Sequence, residues 1–162
     1  MPLHEAPLPW PCDNARYEQA QIDALAALRT QYGADTIAFG DLFLRDVRAC
    51  REGLCARAGW TPIFPIWEIP TPVLARRMIA DGFTAYVSCI DTRRLPERFA
   101  GRRYDDSLLA DLPPDIDPCA ENGEFHTIVT GGPIFSAEIR VKDCGRHEDR
   151  PFVWADLRVV GE

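Results

Sequence analysis

No stretch of the sequence approaches the ~18 consecutive apolar residues that a membrane-spanning helix requires. The segment from Met1 to Pro11 has no basic stretch leading into an apolar one, so no secretory signal is expected there. Positive charge is scarce: 18 Lys and Arg stand against 25 Asp and Glu, a net charge of −7. Non-specific affinity for nucleic acid comes mostly from neutralising phosphates, which disfavours a module working through a basic face. Neither nucleic acid nor a membrane is therefore an expected partner. The six cysteines (Cys12, Cys50, Cys55, Cys89, Cys119 and Cys144) form no CxxC pair and no Cys/His cluster with zinc spacing, so no metal site is expected. They read as reduced thiols of a cytoplasmic protein, mainly small buried hydrophobes. Internal repeats and low-complexity segments are missing as well.

What is present is ordinary globular material. The 162 residues are 46% hydrophobic and 27% charged, enough for one domain or two small ones. Asp13-Asn14 caps a helix expected to run to Tyr32, with Tyr17, Ala20, Ala24, Leu25, Leu28 and Tyr32 as its apolar stripe and Gly33 as its stop. The short apolar run Thr36 to Phe39 suits a parallel strand buried on both faces. A second helix is expected from Leu42 to Ala58, ended by Gly59, and a proline-limited strand from Thr61 to Trp67. A strand over Leu3 to Leu8 would open the sheet. Alternating strands and helices are the pattern of a parallel α/β sheet.

A second unit opens at Thr71 as N-cap and Pro72 as first helical residue. Its helix runs to Gly82, and a strand with Ala85, Val87 and Cys89 on one face follows to Ile90. After a turn-rich stretch with a short helix at Asp105 to Asp111, three strands are expected near Phe125–Val129, Ala137–Val141 and Phe152–Val159.

Two constellations carry chemistry. Asp41 lies where a strand hands over to a helix, the usual ligand end of an α/β sheet. With Arg45, Arg48 and Glu52 it would form one polar helix face, which as bare sequence is equally a solvated row of ion pairs. The second is Cys119-Ala120-Glu121-Asn122-Gly123-Glu124-Phe125-His126-Thr127. The strand period would send Phe125 into the core and place Glu124 and His126 on one face, an acid beside an imidazole. Glu121 would approach across the turn. The plain alternative is a wet hairpin whose histidine is satisfied by a neighbouring carboxylate.

This second run, with Gly132-Pro133-x-Phe135 after it, resembles the signature of the diphthine ammonia ligase (diphthamide synthetase) family of PP-loop ATP pyrophosphatases. Leu8-Pro9-Trp10-Pro11-Cys12, Phe39-Gly40-Asp41-Leu42, Pro65-Ile66-Trp67 and Met78-Ile79-x-x-Gly82-Phe83 add to the likeness in the expected order. The resemblance implies a truncated Rossmann-like sheet of the adenine-nucleotide α-hydrolase type over residues 1–67, followed by a smaller α/β substrate domain over residues 68–162. It implies adenylation of a carboxylate by ATP with Mg2+, then displacement of AMP by ammonia or an amine. The acceptor would be a small-molecule or protein-side-chain carboxylate. Carried onto this chain, Gly40, Asp41, Arg48 and Glu52 would lie beside the nucleotide. Glu121, Glu124 and His126 would be catalytic, with Asn122, Gly123 and Thr127 binding substrate.

The family's Ser-Gly-Gly-x-Asp-Ser phosphate loop has no counterpart in this sequence; the paired glycines Gly131-Gly132 stand in another context. Such a loop supplies the anion nest for pyrophosphate. The chain thus begins in what the resemblance makes the middle of the nucleotide domain, and ATP turnover by this polypeptide alone is not expected. An uncovered edge beside the strand ending at Asp41 would favour homo-oligomers. Two other readings remain: a binding module that keeps the acceptor cleft without ATP turnover, and a thiol enzyme using Cys119 or Cys89.

Overall fold

The computed structural model describes residues 3–161, so the outer ends of the two expected domains, Met1 and Glu162, lie outside the described residues. The chain divides into two compact units, Met1–Glu68 and Ile69–Glu162. Both mix helix and strand, and the architecture is α/β.

In the first unit α1 spans Asn14–Tyr32, with the Asp13 carboxylate accepting the Arg16 N–H at its start and Gly33 at φ 67° closing its end. These are the caps the sequence predicts. Strand β1 (Thr36–Ala38) pairs in parallel with β2 (Thr61–Ile63), and α2 (Arg45–Ala58) connects them. Leu25, Leu54, Cys55 and Trp60 form the buried core, with Ile22, Leu28 and Ile37 packed against it. Of the stripe expected on α1 only Leu25 is fully buried, and Tyr32 stays 48% exposed, because two short strands and one helix cannot cover nineteen residues of helix.

Three expectations are corrected here. Residues 3–8 form no strand, so the sheet has two members. Helix α2 starts at Arg45 rather than Leu42, since Leu42 is buried in the preceding loop with its carbonyl accepting the Glu68 N–H. Strand β2 stops at Ile63, and Phe64 to Trp67 make a turn closed by the Trp67 N–H on the Phe64 carbonyl.

The second unit contains α3 (Thr71–Ala80), β3 (Thr84–Asp91), a 3-10 turn (Glu97–Phe99), α4 (Asp106–Asp111), β4 (Phe125–Gly131), β5 (Val141–Asp149) and β6 (Phe152–Val159). Its sheet is antiparallel, in the order β4-β3-β6-β5. An irregularity between Val87 and Cys89 breaks the simple alternation expected for β3. Val87 and Ile90 join the core with Leu95, Phe99, Leu108, Ile116, Phe125 and Val153, while Cys89 takes the opposite face. Completely buried side chains such as Phe99 and Leu108 each contribute about 1.5–3 kcal/mol on burial. Strand β5 begins at Val141, the last of the residues expected for it, and runs on to Asp149. Its eight residues from Lys142 to Asp149 are all exposed, so no hydrophobic alternation announces them. Among the described residues no helix is long and apolar enough to cross a membrane.

Candidate functional site

The segment between α4 and β4 holds the second constellation. Asp117, ahead of Pro118, makes an Asx turn in which its Oδ1 accepts the Cys119 N–H at 2.7 Å. Its other oxygen accepts the Thr71 hydroxyl at 2.8 Å, which is why Thr71 begins α3 instead of capping it. The Cys119 thiol donates to the Thr71 carbonyl at 3.5 Å, and the Tyr104 hydroxyl donates to the Pro118 carbonyl. Two left-handed residues, Ala120 at φ 57° and Gly123 at φ 79°, then fold the chain back onto itself. The amides of Ala120 and Gly123 close successive turns on the carbonyls of Asp117 and Ala120.

Glu124 sits at the centre of this loop. It precedes β4, so strand alternation does not reach it, and its side chain is only 1% exposed. The carboxylate accepts the Asp117 N–H at 3.2 Å, the Asn122 N–H at 3.1 Å and the Asn122 side-chain amide at 3.2 Å. The Glu124 carbonyl accepts the Asp91 N–H at 3.0 Å, fixing the loop to the central strand β3. Phe125 enters the core as the sequence predicts.

His126 is exposed, and so are Asn122, Gly123 and Thr127; Glu121 is half-buried. The pairing sets His126 beside Cys89 and Cys89 beside Trp154, so the imidazole shares its face with a thiol and an indole. Thr127, next along the strand, projects to the other face. The expected open pairing of Glu124 with His126 is thus not what the fold makes: the carboxylate is enclosed by its own loop, while the imidazole stands on the sheet surface.

Burial, together with the carboxylates of Asp117 and Glu121, pushes the Cys119 thiol up to about 11, and burial with Asp91 raises that of Cys89. A nucleophilic cysteine needs the opposite shift, so neither thiol is prepared for attack at neutral pH. Burial also raises the Tyr104 phenol, helped by Cys119 and Asp117. Thr71, Asp117 and Tyr104 are the members of this site that the sequence reading missed. The Asp-Pro step at Asp117-Pro118 is the signal that marks the turn.

The residues expected beside a nucleotide lie in the first unit and do not form one group. Arg48 and Glu52 line a cleft of about 250 Å3 together with Arg45, Ala49, Trp67 and Glu68. Within it Arg48 Nε bonds Glu52 Oε1 at 2.8 Å, and its guanidinium lies 4.5 Å from the Phe64 ring centre and 4.6 Å from that of Trp67. Arg45 pairs with Glu68 at 3.2 Å, and Glu68 is held at φ 59°. Asp41 precedes α2 and is not on its polar face; it stands 3.8 Å from Arg51, and the Asp41 Oδ2 and Arg51 Nε atoms are buried without hydrogen-bond partners. Gly40 has open space where a Cβ would be. Arg48 is held by one ion pair and two rings with a third of its side chain exposed, and neither Gly40 nor Asp41 lines the cleft, so the four residues do not converge on one cradle for triphosphate. Among the described residues no group of three or more His, Cys, Asp or Glu side chains is arranged for a metal ion.

Comparison with known proteins bears on the second unit. Residues 71–157 match the family model of the diphthamide synthase C-terminal domain, which takes in α3, the sheet through Leu157 and the whole Asp117–Glu124 loop. No curated protein matches the chain. The match spans more than half of the 162 residues, and the chain belongs to the diphthamide synthase C-terminal domain family.

Proposed function

We propose that this chain carries the acceptor side of an ATP-dependent amide-forming ligase of the diphthine ammonia ligase type. The observation that carries the reading is the family match across residues 71–157, which includes a loop already locked around Glu124 with Glu121, Asn122 and Gly123 on its outer turn. In this reaction class a carboxylate is first activated as an acyl adenylate, at the expense of ATP with Mg2+. Ammonia or an amine then attacks the acyl carbon, the bond from that carbon to the phosphate oxygen breaks, and AMP leaves with the electron pair. Glu121 or His126 takes the proton released from nitrogen, and Asn122 and Gly123 hold the acceptor, with Thr127 turned to the other face of β4. The parallel pair β1-β2 with its connecting helix supports a Rossmann-like reading of the first unit.

The second half-reaction can be tested without ATP. The chain is incubated with acetyl or glutaryl adenylate and ammonium chloride, and the amide is measured against the protein-free rate. Ammonium-dependent amide formation is expected, falling by about 10²- to 10⁴-fold in Glu121→Gln. A rate equal to the protein-free background with both adenylates would refute the ligase reading. Saturable binding of the carboxylates without turnover would establish the second reading, a non-catalytic binding module. That reading is favoured by Arg48 being already held by Glu52, Phe64 and Trp67.

A further inference from the structure

We infer that Glu124 is a positioning residue: its carboxylate is the internal template on which the Asp117–Glu124 loop is folded, and it takes no part in proton transfer. The side chain is 1% exposed, and both of its oxygens already accept hydrogen bonds, Oε1 from the Asp117 N–H and the Asn122 amide, Oε2 from the Asn122 N–H. A base must reach the proton it removes, directly or through one water, and a carboxylate enclosed in this way has no open approach. Three converging N–H donors suit an anion, since hydrogen bonds to a charged acceptor are about twice as strong as neutral ones.

The two ends of the loop are closed by the same device. Asp117 accepts the Cys119 N–H and the Thr71 hydroxyl, and donates its own N–H to Glu124. The two carboxylates therefore act in series. Glu124 fixes Asp117, and Asp117 fixes the start of the loop on α3. Ala120 occupies a left-handed conformation that is unfavourable for a non-glycine residue, and this hydrogen-bonded frame holds it there. The result is a fixed outer turn on which Glu121 and Asn122 are presented. Only the activity arm of the test below rests on the ligase reading; the structural arm does not.

Glu124→Gln is the decisive change, because its amide replaces one acceptor oxygen by an NH2 that meets an N–H donor head-on. The first measurement is amide hydrogen exchange by NMR. The Asp117 and Asn122 amides are expected to exchange at least about tenfold faster in the variant, while those of the β5–β6 hairpin hold their protection. Glu124→Asp keeps the charge on a shorter stem, should show a smaller loss, and serves if the glutamine variant does not fold. The second measurement is the pH profile of amide formation from acetyl adenylate. The rate per folded molecule should fall with both limbs of the profile unmoved. Exchange at Asp117 and Asn122 within about twofold of the parent would overturn the inference, and so would loss of the basic-group limb of the profile. If the parent itself forms no amide, the ligase reading fails, and the exchange result alone decides the role of Glu124.

Discussion

Gly132 gives the sharpest test of how the second unit is packed. It sits at φ 151°, and a Cβ built there would lie 2.6 Å from Phe83 Cδ1, with Cε1 and Cγ at 3.1 and 3.2 Å. A ring cannot swing away like the end of a flexible chain, and the Phe83 amide is tied to the Met78 carbonyl at the end of α3. Gly132→Ala therefore meets two costs. The backbone conformation costs a non-glycine residue about 1–3 kcal/mol, and forcing the methyl group against a packed ring about 1–3 kcal/mol more. The sum, about 2–6 kcal/mol, corresponds to roughly 4–8 °C of Tm per kcal/mol for a unit of this size, so a fall of at least about 8 °C is expected. Gly131→Ala is the internal control. Gly131 has no positive φ, and its added Cβ meets the exposed, flexible Glu138 side chain at 3.1 Å, so the loss should stay below about 1 kcal/mol. Melting of the parent and both variants by calorimetry checks the pair. A Gly132→Ala protein melting within about 3 °C of the parent, or a Gly131→Ala protein falling equally far, would refute the packing argument.

Two further outcomes are expected. The Cys119 thiol ionises near 9.0 when unfolded and at about 11 when folded, so the native state keeps a proton that the unfolded chain has lost between those values. Its contribution to stability is complete below 9.0 and falls as pH rises towards about 11; Cys119→Ala should flatten that part of the curve of urea midpoint against pH, and an unchanged slope would contradict the burial assigned to the thiol. Arg48→Ala removes an ion pair and two ring contacts and should destabilise the first unit by about 1–2 kcal/mol. Arg48→Lys should fall between, because an ammonium group does not stack as a flat guanidinium does; urea unfolding followed by tryptophan fluorescence gives the order, and a lysine variant as stable as the parent would count against the stacking.

How far the sequence discloses this molecule depends on whether a signal is local. The caps of α1, the Gly59 stop of α2, the short α4 and the burial of Phe125 are written in a few neighbouring residues, and the structure has them where the sequence places them. Strand β5 is not written that way, since it gains its partner from β6 and buries almost nothing of its own. The family was legible from the run around Glu121-Asn122-Gly123-Glu124, because that run is a motif of residue types. The environment of Glu124 was not legible, because period-two reasoning assumes a strand and the residue lies one position before it. Thr71 and Asp117 escaped for a related reason: their meeting joins positions 46 residues apart, and no local pattern encodes it.

The double anchoring of the Asp117–Glu124 loop also fixes its length. One end is bound to α3 through Thr71 and the other to β3 through the Asp91 amide, with Ile90 facing Phe125 immediately beyond. An inserted residue between these anchors would either break one of them or slide β4 by one position, turning Phe125 out of the core and drawing the Glu124 carbonyl off Asp91. Surface loops commonly absorb insertions at little cost, whereas this one has no slack to take up. The connection from Pro133 to Arg140 is the place in the same unit where added residues have room, since Ile134 is 79% exposed and the segment from Ser136 to Arg140 lies open to solvent.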